Sequence, residues 1–395
     1  GLPEHEERSR KELALSLAIA PPLVQAKGYG AKEVHNTCHR VHFLCHQLKE
    51  PTHVPILRAL AIGKLVTGEI LAVESLGKEL LQQAQQTGDE VVLVEAHYVL
   101  GVTYHWQGNF TSARHHLEKA LQPNSSHKHE AHITHYGQDP DVVCRIRLAM
   151  VLWKLGYPYQ AKEEAEKALS LSEKLNHPFS RAYALHWCAW LHNLRGDVET
   201  TLEHSAISME YSRKFQFPYF TTQSRILLGW AMFEQNRNSQ GLEQMRSGLA
   251  HFRATGSSVG TTYYRGLLAL NLAKLDRGEQ ALSVVNEALG ALKAQEERWQ
   301  EAELYRLKGN ILSMKDKSNQ HLLAEESFRK AIEIAHRQKA RGFALHAACD
   351  LKRFLENRNR QEEAEQLFNE INGWFRKGRN ASDLKEAETL VSHWR

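Results

Sequence analysis

The sequence has no uninterrupted apolar run of about 18 residues, so no membrane-spanning helix and no membrane partner are expected. Its opening stretch, "GLPEHEERSRKEL", lacks the apolar centre of a secretory signal, and no methionine stands at position 1. The chain therefore reads as a piece of a larger, cytoplasmic protein or as a processed one. Cysteine is sparse: Cys38, Cys45, Cys144, Cys188 and Cys349 are odd in number and scattered, with no C-x-x-C pair. That pattern points to reduced, buried thiols rather than a disulfide framework. No G-x-x-x-x-G-K-[ST] loop is present to cradle phosphates, and no convincing serine, cysteine or carboxylate constellation is found. On its own this chain is expected neither to hydrolyse nor to cyclise ATP, and to carry no cofactor and no structural metal. Excess charge is missing as well. The 50 Lys and Arg are interleaved with 46 Asp and Glu and leave +4, which argues against a nucleic-acid partner. Strand-like alternation is absent, and no proline follows Pro218.

What is present is a repeat. "YVLGVTYHWQGNFTSARHHLEKAL", "IRLAMVLWKLGYPYQAKEEAEKAL", "GLLALNLAKLDRGEQALSVVNEAL" and "YRLKGNILSMKDKSNQHLLAEESFRKAI" align with one another. Each carries a large apolar residue, a small one, a polar turn, and then a small residue followed at four and seven by apolar or small ones. That small residue recurs at Ala113, Ala161, Thr201, Gly241, Ala281, Ala324 and Ala364, with a step of 40 from Ala161 to Ala281. A small side chain there lets two helices approach to roughly 8–10 Å. Pro140, Pro178 and Pro218 stand where the first helix of a unit begins, and "QDP" puts Asp139 at the N-cap. The expected fold is all-α: a tetratricopeptide-like, right-handed superhelical solenoid of about eight or nine helical hairpins with a period of roughly 40 residues. Residues 1–50 form the first hairpin, 51–122 further hairpins, 123–139 a long loop, 140–378 the remaining hairpins, and 379–395 a capping helix. Thr201 and Lys352 replace the usual small residues, so looser joints are expected there.

Histidines concentrate in the first 200 residues. In "VHNTCHRVHFLCHQL", Val34, Cys38, Val41, Leu44, Cys45 and Leu48 make a buried stripe at helical period. His35, His39, His42 and His46 lie beside that stripe, on a wet flank. The pairs His35/His39 and His42/His46 would chelate a divalent ion weakly, but a closed site wants four ligands. A second cluster, His127, His129, His132 and His135, falls in the long loop. It reads as a surface loop ending in a helix cap, or as a ligand-contacting insertion.

"SLAIAPPLVQAKGYGAKEV", "HYGQDPDVVCRIRLAMVLWKLGYPYQA", "HPFSRAYALHWCAWLHNLRGD" and "ERWQEAELYRLKGNIL" resemble a known bacterial region. It is the tetratricopeptide region that follows the ATPase module in multidomain signalling proteins of the STAND class. Many of these carry a class III adenylate or guanylate cyclase domain. The resemblance runs from about Lys11 to Trp394. It implies a sensor arm that holds an ATPase module, with its ATP and Mg, off until a signal binds. The register of such repeats implies that the first helices line a concave groove. Its floor would be Tyr98, Trp106, Trp153, Lys154, Tyr183, His186, Trp190, Asn193, Gln223, Trp230, Phe233, Tyr263 and Arg306. Large aromatics with a polar edge suit recognition, and Trp153, Trp190 and Trp230 would form a continuous apolar strip.

The function expected is thus a non-catalytic sensor and protein-interaction module. Its partners would be a protein or small-molecule inducer and the intramolecular ATPase module. A free-standing scaffold is the alternative, or a histidine-rich protein that binds a metal or metabolite.

Overall fold

Two kinds of helix alternate along the chain, and their sequences explain why. In the computed structural model, which describes residues 6–122, 129–236, 239–314 and 318–394, they pair as hairpins. Hairpin 1 joins α1 (Glu6–Lys27) to α2 (Lys32–Leu48), hairpin 2 joins α3 (Val54–Thr67) to α4 (Ile70–Thr87), and hairpin 3 joins α5 (Glu90–Trp106) to α6 (Phe110–Ala120). After α7 (His129–Tyr136) come hairpin 4, α8 (Pro140–Leu155) and α9 (Pro158–Leu175), and hairpin 5, α10 (Pro178–Arg195) and α11 (Val198–Lys214). Hairpin 6 is α12 (Pro218–Asn236) and α13 (Ser239–Ala254), and hairpin 7 is α14 (Thr261–Ala273) and α15 (Gly278–Gln295). Hairpin 8 is α16 (Glu301–Ser313) and α17 (Ser318–Arg337), hairpin 9 is α18 (Arg341–Glu356) and α19 (Gln361–Arg376), and α20 (Ala381–Trp394) ends the stack.

The first helices of the middle hairpins are apolar nearly all round, as helices buried on every side must be. In α8 every residue except Asp141 and Arg145 is buried. The second helices bury one stripe, as α9 does with Ala161, Ala165 and Ala168. Ala113, Ala161, Thr201, Ala281, Ala324 and Ala364 are fully buried at the helix contacts. The Thr201 hydroxyl is satisfied inside its own helix by donating to the Asp197 carbonyl at 2.6 Å. The closest approach joins α12 to α13: a Cβ built on Gly229 or on Gly241 would sit 2.6 Å from the other's carbonyl oxygen. Asp139 caps α8 by accepting from the Val142 amide at 3.0 Å, and Pro140 follows at the first turn. Beyond Pro218, where no proline breaks the chain, several helices are turned by residues in the left-handed region, among them Lys339 and Asn359.

One expectation needs correction. Half of the 123–139 segment is helix, because α7 buries His132 and Tyr136. His127 lies outside the described residues. The hairpins, moreover, do not touch only their neighbours. The Val66 carbonyl of hairpin 2 accepts from the Ser258 amide, at the junction of hairpins 6 and 7, at 2.8 Å. The Trp106 carbonyl of hairpin 3 accepts from the Arg298 amide, at the junction of hairpins 7 and 8, also at 2.8 Å. Both pairs are 192 residues apart in the sequence. Helix α8 packs on α18, and α9 packs on α20. Each superhelical turn of about five hairpins therefore rests on the turn before it. The joint at Lys352 is bridged rather than empty: its ammonium lies between Glu356 and Glu365.

Candidate ligand cavity

Because the turns close on each other, most of the inward row is core. Trp106, Trp153, Trp190 and Trp299 are among the largest fully buried side chains. Trp190 stacks on Trp187 at 4.8 Å between ring centroids and lies 4.8 Å from the ring of Tyr264. The expected open strip of Trp153, Trp190 and Trp230 is accordingly corrected: all three rings are buried, Trp153 against Phe343 of hairpin 9 and Trp190 against Tyr263, Tyr264 and Trp299. Phe233 and Lys154 are buried with them. Burial, with Arg147 adding to it, pushes the Lys154 amine well below the usual lysine range; the amine donates to the Met150 carbonyl at 2.9 Å. Burial first, then Arg147, pushes His186 down to about 3. Row residues also satisfy one another across hairpins. The Tyr263 hydroxyl donates to Asn193 Oδ1 at 2.5 Å, and the Tyr264 hydroxyl donates to Gln223 Oε1 at 2.9 Å. Arg306 is neutralised by Glu303 and Asp350.

One part of the interior stays open. A cavity of about 570 Å³ lies where the start of the solenoid meets its sixth and seventh hairpins. Its walls come from the α1–α2 turn at Tyr29, from α3 at Arg58 and Ile62, and from α5 at Tyr98, Val102 and Trp106. Further walls are α7 from Ile133, Arg147 on α8, Phe179, Tyr183 and Trp187 on α10, the turn at Phe217, and Val259. Exposed Lys27, His135, Gln216 and Pro218 mark its rim. Of the residues expected from the sequence, Tyr98, Trp106, Tyr183 and His135 come together here. His132 instead anchors α7, its Nδ1 lying 2.9 Å from Glu95 Oε1, and His129 pairs with Asp139.

Two arginines stand in this aromatic wall, and both were missed in the sequence reading. Arg58 is compensated: its Nε donates to Glu95 Oε2 at 3.1 Å, and its guanidinium lies 5.5 Å from the ring centres of Tyr29 and Tyr98. Arg147 is 1% exposed. Its guanidinium lies 4.1 Å from the ring centre of Trp187 and 5.3 Å from that of Trp106. Its Nε and Nη1 are buried without a hydrogen-bond partner. Among the described residues lining the cavity there is no aspartate or glutamate. The signal that could have found both arginines is a cation set among the apolar positions of a first helix, Arg58 in "VPILRALAIGKLV" and Arg147 in "CRIRLAMVLWKL".

The histidine stripe is placed as its periodicity suggests. Val34, Cys38, Val41, Leu44 and Cys45 are buried, with His35, His39 and His42 half-buried beside them and His46 exposed. Burial pushes the Cys38 thiol up to about 11. A different trio, Cys188, His192 and His204, brings three potential metal-ligand atoms within 4.8 Å of one another. Asp197 holds His192 Nδ1 at 2.9 Å. The trio supplies one ligand fewer than a closed structural zinc site takes.

The family model described as Tetratricopeptide repeat matches residues 144–175, which cover most of the α8–α9 hairpin. An uncharacterized protein of Rhizobium meliloti (strain 1021) is 24% identical over 220 residues, covering 55% of this chain and 21% of that protein. The chain thus spans about a fifth of the length of this relative. A crystal structure of a Rap protein complexed with Competence and Sporulation Factor superposes with a TM-score of 0.60 at 12% identity, covering 99% of this chain and 100% of that one. The apo form of the quorum sensor NprR from B. thuringiensis gives 0.51 at 14% identity, covering 93% and 99%. These likenesses establish a tetratricopeptide-like helical-repeat solenoid.

Proposed function

We propose that this chain is a non-catalytic sensor module whose central cavity takes a small-molecule inducer, and that in a longer STAND-class protein it controls the state of an ATPase module. The observation that carries the reading is the cavity's position. Its walls belong to both ends of one superhelical turn, from Tyr29 and Arg58 to Val259. A ligand held there touches segments 192 residues or more apart and so biases the contact between turns. A pocket of this size, mostly apolar with a few placed polar groups, suits a small molecule. The likeness to Rap and NprR supports a binding role for such a solenoid. Protein partners, the ATPase module among them, would then meet the outer surface.

The test is native mass spectrometry of the purified chain beside its Ala59→Phe variant, in which a ring fills the cavity. Wild type is expected to retain a small molecule that the variant loses at unchanged fold by circular dichroism. In the full-length protein the variant is expected to lose its inducer response while ATP binding persists. A wild type that carries no molecule, melts the same with and without a low-molecular-weight cell extract, and signals normally with the cavity filled would refute the reading.

A further inference from the structure

Arg147 is the part of the cavity that its structural role does not explain. A buried charge is normally paired, and an unpaired one is costly. The other buried cations of the interior follow that rule. Arg58 has Glu95, and Arg306 has Glu303 and Asp350. Lys154 departs from it, and there burial pushes the amine toward its neutral form. An arginine does not have that escape, since a guanidinium keeps its charge when buried. The neighbours of Arg147 do not neutralise it either. They are the faces of Trp106 and Trp187 and the imidazoles of His105 and His186, which burial holds neutral. Ring faces stabilise a cation in part, but they accept no fork of N–H bonds.

Resting on the reading of the cavity as a ligand site, we infer that the ligand is a small organic anion. Its carboxylate or phosphate takes the guanidinium edge of Arg147, and its apolar or aromatic body lies against Trp187, Phe217 and Val259. Charge and shape agree on this class. Lys27, Arg58 and Arg147 all line the cavity, and the described lining holds no acid to repel an anion. Two tryptophan faces flank Arg147 and leave a planar fork suited to a planar carboxylate or to two phosphate oxygens. Glu95, behind Arg58, balances the charge of that second arginine, of which only Nη2 is left without a partner, so Arg147 is the group that selects charge.

The experiment compares 3-phenylpropionate with its neutral isostere 3-phenylpropionamide by titration calorimetry on the 395-residue chain, first stripped of small molecules by dialysis. Phenyl phosphate in a third arm tells a carboxylate site from a phosphate site. At least one anion is expected to bind on the order of tenfold or more tighter than the amide, the range a charge-assisted hydrogen bond provides. In Arg147→Met the preference is expected to vanish while amide affinity stays. The ligand-free variant is expected to melt above wild type, because the uncompensated charge is gone; an arginine that merely holds the fold would melt lower on removal. Equal affinity for acid and amide in wild type would overturn the anion while leaving the cavity a binding site. Binding by none of the probes would overturn the inference, and so would an acid preference that survives Arg147→Met.

Discussion

Single side chains in this interior sit in states that water would not allow. Lys154 is the clearest, with its amine 4.8 Å from the ring centre of Trp299 and bonded only to a carbonyl of its own helix. Burial first, then Arg147, pushes the amine toward its neutral form, so folding works against the charge that the unfolded chain carries at neutral pH. Lys154→Met should therefore raise stability by about 2 kcal/mol near pH 7, read as a higher denaturant midpoint. A lower midpoint would mean that the amine makes a contact worth more than its desolvation. The buried histidines respond to acid in the same sense. Burial pushes His186 from 6.5 down to about 3 and His346 from 6.5 down to about 4. Between those values and 6.5 the unfolded chain binds more protons than the folded one. Their contribution is complete above about pH 6.5 and is lost as pH falls, at up to about 1.4 kcal/mol per group per pH unit. Melting at pH 5.0 should lie well below melting at pH 7.5, and His186→Gln should flatten the difference. Coincident melts at the two pH values would show these rings to be hydrated.

At the scale of helices, small residues decide how near two axes come. Gly229 and Gly241 face each other with no room for a methyl group on either. Gly229→Ala should force α12 from α13 and cost about 1–3 kcal/mol. Gly290, in the middle of α15, has nothing within 4 Å of where its Cβ would be, and Gly290→Ala should stabilise by about 0.5–1 kcal/mol. Thermal melts of the two variants should move in opposite directions, and a shared direction would contradict the packing described. These elements were legible in advance. The 40-residue step from Ala161 to Ala281, the prolines at helix starts and the Asp139 cap locate the hairpins from periodicity alone. The ligand cavity was not legible in that way. Its walls at Tyr29, Phe217 and Val259 sit in turns that fall outside the repeating positions, and the burial of Trp153 and Trp190 depends on a turn of the solenoid that no local pattern encodes.

Over the whole molecule, segments far apart in sequence stabilise one another. Helix α9 has no side-chain cap of its own. Asp383, from α20, supplies one in trans, accepting from the Tyr159 amide at 3.0 Å and the Gln160 amide at 3.3 Å. Asp383 is fully buried, so Asp383→Ala should cost about 1–2 kcal/mol. It should also speed amide exchange at Tyr159 and Gln160, 224 and 223 residues away in sequence. Unchanged exchange there would mean that α20 only lies against the stack. Contacts of this kind couple hairpins that a neighbour-only array leaves independent, so unfolding should be more concerted than in an open solenoid. The same closure bears on how such a gene can change length. In an open array a hairpin is gained or lost with only its two flanks disturbed. Here Val66 must meet Ser258 and Trp106 must meet Arg298, both at a separation of 192 residues. Duplicating a single hairpin between them would slide every later turn out of step with the one beneath it. Copy number is therefore locked within each turn, and the ladder can grow only at its ends or by a whole turn at a time.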